Sequence, residues 1–406
     1  MHSNIKGIKM TKLHILSTIT ISFFLIGCAG TNLNSDKLHL GENTIKNGIE
    51  TIIPQSLKSD YGKYFDRYTK VVAPNQKPIH ILAQETITDE QIIRVRSVLE
   101  HFLRDYAGSI YGSDKSKVAN QMAMNHATIL LLNGSDGDES STNHLEGQPL
   151  YKNEVQVEGG EWYTKQNYDH RDATYEEILH LVHDTGIGVD GENVYPGTLA
   201  KFQQEIRDAQ VYALNNNIWG INVKDWIDEL KQENSLSQEY LASLVDAYYG
   251  LWGAWKESST SSMWGVYTPR DRDAIKIEDR FGNELMNNKF FHPYLTYNAR
   301  IDAGFKGVFS LKFNDKIPYT YHSRYLKDIT LLGTKNTSIV PNELSNHLTG
   351  NSGINTVVFS GNSNEYKVLI KKGEASISDS IANRDGKLNL LKYIEKIQFL
   401  DITMSI

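Results

Sequence analysis

Thr174-Tyr175-Glu176-Glu177-Ile178-Leu179-His180-Leu181-Val182-His183-Asp184 decides how this chain is read. At about 100° per residue, Tyr175, Ile178, Leu179, Leu181 and Val182 fall on one side of a helix, and Glu176, Glu177, His180, His183 and Asp184 on the other. The separation predicts an amphipathic helix over 173–184. Its surroundings carry an unusual charge. Between Arg171 and Lys201 stand six carboxylates (Asp172, Glu176, Glu177, Asp184, Asp190 and Glu192), two histidines and no lysine or arginine. Like charges packed this closely repel unless a cation sits among them. Glu176, His180 and His183 lie within about 60° of one another, the one-turn spacing at which helical side chains converge on one ion.

Upstream, Pro78-Ile79-His80-Ile81-Leu82-Ala83 alternates as a short strand, and Thr88-Asp89-Glu90-Gln91 opens a helix with Thr88 as cap and Gln91 at the box position. Ile92, Val95, Val98, Leu99 and Phe102 continue it at helical spacing. A helix over 115–124, a buried strand over 128–133, an acidic loop over 133–145 and helices over 198–216 and 236–256 follow. The middle of the chain therefore reads as α+β.

The 406 residues hold 42 Lys+Arg against 49 Asp+Glu, a net charge of -7, which excludes a basic nucleic-acid binder as the default. A single cysteine excludes an intrachain disulfide and any cysteine-ligated cluster, so a metal must be held by His, Asp and Glu. No Gly-x-Ser-x-Gly context supports serine hydrolase chemistry. Glu177-x-x-His180 is also the spacing of di-metal carboxylate bundles, but no convincing second pair accompanies it.

The segment Glu176 to Asp184 resembles the active-site helix of zincin metallopeptidases, whose H-E-x-x-H motif supplies two zinc ligands and a general-base glutamate. By position the resemblance makes Glu177 the base and His180 a ligand, with Glu176 standing where the family has its first histidine. A carboxylate there lowers the net charge of the site and its power to acidify water. A third ligand is implied from a later helix. Glu239, in Glu239-Tyr240-Leu241-Ala242, is similar to the third-ligand stretch of gluzincins, with Ser235 and Gln238 as capping box and Ser243 and Asp246 on the same face. Glu205 competes, because Phe202, Ile206, Ala209 and Tyr212 share its side of the helix, and His183 is an alternate on the first helix.

Lys6, Lys9 and Lys12, an apolar run from Leu13 to Ile26, and Leu25-Ile26-Gly27-Cys28 resemble a bacterial lipoprotein signal, whose lipobox cysteine is lipidated. The resemblance implies cleavage after residue 27, lipidation at Cys28, export, and attachment to the cell envelope, at the outer membrane if the host is Gram-negative. From about 326 the composition shifts to Asn, Gly, Ser, Thr and β-branched residues. Pro341–Thr349 and Gly350–Val358 align as two nine-residue units sharing Asn346/Asn355 and Leu348/Val357, and resemble degenerate hemolysin-type repeats that wind into a β-roll with calcium in its turns. Asn346 and Asn355 replace the usual aspartates, which weakens calcium binding.

The expectation is a signal (1–27), a tether (28–60), an α+β zincin-like region (61–322) and an all-β, β-roll-like region (323–406). Its function is expected to be metal-dependent, peptidase-like hydrolysis at an envelope lipoprotein. The site would be Glu176, His180 and Glu239 around zinc or another divalent metal, with a peptide or protein as substrate. The competing expectation is a noncatalytic surface lipoprotein with a calcium-binding or adhesive β module.

Overall fold

The computed structural model describes residues 47–136, 141–191, 194–255 and 265–406. The signal segment and Cys28 lie outside the described residues. β1 (Arg67–Val72) pairs antiparallel with β2 (Pro78–Ala83), while β2, β3 (Thr128–Leu132) and β4 (Gln148–Tyr151) run parallel, in the order β1-β2-β3-β4. Every residue of β3 is buried, as a continuous apolar run between parallel neighbours requires. Ile79, Ile81, Ile129 and Leu131 join the main core with α1 (Asp89–Leu103) and α2 (Ser116–Met124). Leu82, Leu130 and Leu132 form a second cluster with Ile53, Phe65 and Tyr68.

That second cluster corrects the tether. From residue 47 the chain packs on the sheet, with Ile49 and Ile53 buried and Glu50 bridged to Tyr68. Without this cover Leu82 and Leu130 would face water.

Five helices form where periodicity places them, the one predicted over 236–256 ending at Tyr248, while those at 161–165, 224–233, 272–278 and 280–286 were not predicted. α1 begins with the expected capping box: Thr88 Oγ1 accepts from the Gln91 N–H at 3.2 Å and Gln91 Oε1 from the Thr88 N–H at 3.0 Å. After α3 (Glu161–Lys165) come α4 (Thr174–Val182), α5 (Ala200–Asn215), α6 (Lys224–Glu233), α7 (Leu236–Tyr248), α8 (Arg272–Glu278) and α9 (Arg280–Met286). α4 carries the decisive stretch. It packs on α1, α7 and β4, and all nine of its residues are buried, so its polar side is enclosed. It runs on into a π-helical turn, His183–Ile187, ended by Gly188 at φ 103°, where a side chain would be strained and its Cβ would stand 2.7 Å from Gly197 Cα.

The β-rich region begins earlier than composition suggests. β5 (Leu295–Ile301) and β6 (Gly307–Ser310), which precede residue 323, pair in parallel with β7 (Leu326–Leu331) and β8 (Thr337–Val340). β9 (His347–Thr349), β10 (Asn355–Val358), β11 (Tyr366–Lys371), β12 (Glu374–Asp379), β13 (Asn389–Lys392), β14 (Lys396–Gln398) and β15 (Thr403–Ser405) complete two sheets, ordered β11-β12-β13-β9-β7-β5 and β15-β14-β10-β8-β6. Successive strands from β5 to β10 alternate between the sheets, and β13 and β14 resume the alternation after the antiparallel β11–β12 hairpin. Ile329, Leu348 and Leu391 line up across one sheet, and Phe309, Ile339, Val357 and Ile397 across the other, all buried.

Parallel neighbours need not be close in sequence, which is why a composition change at 326 does not mark where these sheets start. The α+β and β-rich regions share one contiguous core running from Ile49 to Phe399. A buried polar knot joins them as well. Arg94 of α1 pairs with Glu158 and, at 2.7 Å, with Asp172, while Tyr297 of β5 donates to Glu158 at 2.6 Å.

Candidate metal centre

α4 starts beside Asp172, whose Oδ1 accepts from the Thr174 hydroxyl at 2.6 Å and the Thr174 N–H at 3.2 Å. Glu176 and Glu177 follow in the first turn, where the helix N-terminus favours negative charge. One turn on, His180 lies on the same side as Glu176. Glu239 belongs to the first turn of α7 and reaches His180, its Oε1 standing 3.6 Å from Nε2. Glu176, His180 and Glu239 each offer one ligand atom, and the three atoms lie within 4.8 Å of one another. Two buried atoms of this trio, Glu176 Oε2 and His180 Nε2, have no hydrogen-bond partner. A carboxylate oxygen and an imidazole nitrogen without hydrogen-bond partners, in a cluster this close, are donor types that could hold a divalent cation.

The other imidazole nitrogen is also oriented. His180 Nδ1 lies 3.5 Å from Glu177 Oε2, which accepts from Gln148 Nε2 of β4 at 2.6 Å. A carboxylate behind the non-ligating nitrogen fixes ring orientation and tautomer in histidine metal sites.

Arg171 is the residue that counting from Arg171 to Lys201 leaves out. Its guanidinium enters the site from the segment before α4, with Nη1 2.8 Å from Glu176 Oε1, Nη2 3.5 Å from Glu177 Oε1 and Nε 3.7 Å from Glu154 Oε1. Among the described residues the site therefore holds Glu154, Glu176, Glu177 and Glu239 with a single arginine. Buried Asp246 of α7 is close enough that the Glu176 charge, after burial itself, raises its pKa.

The electrostatics follow from enclosure. Burial pushes Glu176 up to about 8, only partly offset by Arg171 and reinforced by Glu239 and Glu177. It raises Glu239 too, and lifts Glu154 to about 7 against the pull of Arg171. Burial works against a charged His180, yet Glu239, Glu177 and Glu176 outweigh it and push that imidazole up to about 10. Glu177 stays below the usual carboxylate range despite burial, because His180, Arg171 and Gln148 hold its ionised form. Excess negative charge is thus met by protons, which a divalent cation would displace.

The other sequence candidates go elsewhere. His183 is buried, its Nε2 2.6 Å from Gln203 Oε1 on α5, so it joins α4 to α5. Glu205 accepts from the Tyr111 hydroxyl at 2.6 Å and from Lys289 Nζ at 2.8 Å, away from the trio; its acidic position on an apolar side is explained by that pair. Ser235 makes no side-chain cap to α7, its hydroxyl instead donating to Leu230 O at 3.4 Å. Ser243 donates to the Glu239 backbone oxygen rather than its carboxylate.

In the β-rich region Asn346 Nδ2 donates to Lys327 O at 2.8 Å and Asn355 Nδ2 to Gly353 O at 2.9 Å, so both amide nitrogens hold turns, while both Oδ1 atoms are buried without a hydrogen-bond partner. Nearby acids have cationic partners of their own: Asp379 pairs with Arg384 at 2.6 Å and Asp385 with Lys312 at 2.5 Å. Among the described residues, Glu176, His180 and Glu239 form the one group of three or more acids and histidines placed to hold a metal.

Glu154, Gln148 and Arg171 were missed because none shares the helix whose periodicity revealed the others. Among the described residues no helix is long and apolar enough to cross a membrane. No family model, curated protein or solved structure matches the chain.

Proposed function

We propose that the chain is an exported, lipid-anchored envelope protein whose α+β region is a metal-dependent hydrolase of zincin-like, peptidase type. The observation that carries this reading is the convergence of Glu176, His180 and Glu239, with Glu176 Oε2 and His180 Nε2 buried and without hydrogen-bond partners. These residues fit zinc or another divalent metal, which when bound supplies Lewis acidity to polarise a carbonyl and acidify a water. Glu177 serves the reaction as an ionised carboxylate: His180, Arg171 and Gln148 keep it free of a proton, at the cost of making it a weaker base than an unperturbed glutamate. Glu176 in place of a histidine makes the site less electropositive, and Arg171 restores one positive charge beside it.

The alternating parallel sheets support reading the β-rich region as a β-roll of hemolysin-repeat type. With no cluster of acids and histidines placed to hold a metal among its described residues, that region serves this reading as scaffold. The lipid anchor rests on Lys6 to Cys28 alone.

The test is metal analysis of the mature protein together with hydrolysis of a mixed peptide library, for wild type and Glu177→Gln. Stoichiometric metal in both forms, with cleavage only in wild type and abolished by a chelator, is expected. Absence of metal from both would overturn the reading.

One observation favours a noncatalytic alternative: the Glu177 carboxylate already has Gln148, Arg171 and His180 around it. In that case metal is retained and neither form cleaves peptide.

A further inference from the structure

Arg171 brings positive charge into the cluster of glutamates. Among the described residues it contributes the one guanidinium in contact with Glu154, Glu176 and Glu177. It does so from the chain segment between α3 and α4, three residues before α4 begins. Its side chain is largely enclosed, 23% exposed, and Glu176 and Glu177 are more so, at 2% and 4%. In such surroundings charges are weakly screened, and two cations sharing one carboxylate repel strongly. Arg171 holds Glu176 by Oε1 while leaving Oε2 without a partner.

We propose that Arg171 is a built-in counter-cation: it keeps the glutamates together in metal-free protein and competes with the metal for Glu176, thereby setting the affinity of the site. The proposal rests on the reading that Glu176, His180 and Glu239 bind a divalent ion. Two consequences follow that a purely structural arginine does not produce together. Removing the guanidinium leaves like charges facing one another, so the metal-free protein becomes less stable. The same removal takes a repelling cation away from the ion, so the metal binds more tightly. A structural arginine would give the first effect, with affinity unchanged or weakened.

The experiment is zinc titration of the full mature chain at pH 8 by calorimetry, with thermal melts in chelator, for wild type, Arg171→Gln and Arg171→Lys. Arg171→Gln is expected to melt lower than wild type in chelator and to bind zinc on the order of tenfold more tightly. Arg171→Lys keeps the charge and is expected to stay within about threefold of wild type in affinity. Equal or weaker zinc binding by Arg171→Gln, with wild type binding normally, overturns the proposal. No zinc binding by any form overturns the metal-centre reading itself. Should Arg171→Gln fail to fold in chelator, recovery of its native circular dichroism on refolding with zinc is the expected result, and lack of recovery overturns the proposal.

Discussion

If Glu176, His180 and Glu239 hold a metal as proposed, protons and metal compete for the same atoms. In metal-free protein His180 titrates near 10 and Glu176 near 8, so at pH 7 both carry a proton that ligation must displace. Strong interaction within the cluster spreads those protons over several groups, so release of between about one and two protons per ion is expected. Kd should then fall between about tenfold and a hundredfold for each pH unit from 6 to 7.5.

The stability consequence has a definite sign. His180, lifted above its ordinary 6.5, stabilises the metal-free fold fully below that value, and the contribution is lost as pH rises towards 10. Glu176, lifted above 4.5, keeps a proton that the unfolded chain gives up, so the fold loses stability between about 4.5 and about 8. The zinc-induced rise in Tm must therefore grow with pH. The assay is calorimetric titration of zinc in buffers of differing ionisation enthalpy, which counts protons directly, with paired melts at pH 6, 7 and 8. Proton release near zero, or a Kd that does not change over this range, would refute the reasoning.

Two further outcomes concern the frame around the site. Arg94→Met leaves Glu158 and Asp172 buried without their cation and should cost about 3–5 kcal/mol, measured by denaturant unfolding; a change under about 1 kcal/mol would show that the knot is not ionic. Lys115 is 1% exposed with Nζ on Phe102 O at 2.8 Å, and burial lowers its pKa from 10.5 to about 7. At about 1.4 kcal/mol per tenfold change in proton affinity, its burial costs about 5 kcal/mol below pH 7, and the cost disappears as pH rises towards 10.5. Lys115→Met should accordingly exceed wild type in stability at pH 6 and lose that advantage by pH 10; a pH-independent difference would contradict the assignment.

Much of the trio was legible in the sequence because helical spacing is a strict geometric rule. Glu176 and His180 share a face whatever surrounds them, and Glu239 stood out by its neighbours Tyr240 and Ala242. Side-chain destination is less legible. His183 sits only three residues from His180, yet a slight turn around the axis and the onset of the π-helical turn send it to Gln203. Glu205 looked unpaired because Lys289 and Tyr111 are 84 and 94 residues away in the chain. Arg171 was overlooked because an irregular segment carries no periodicity from which its direction can be read. In the β-rich region local repeats revealed strands near 347 and 357, whereas β5 and β6 were hidden by their composition.

The shared interior between the helices and the later strands limits how the chain can be divided. A fragment ending at residue 322 would retain β5 and β6 but lose β7 and β8, leaving two exposed parallel edges with unsatisfied backbone groups. The complementary fragment would lack the first strand of each stack. Expression pieces and chimaeras are therefore better joined ahead of residue 47 than at 322, since a break at 322 would yield sticky halves prone to aggregate.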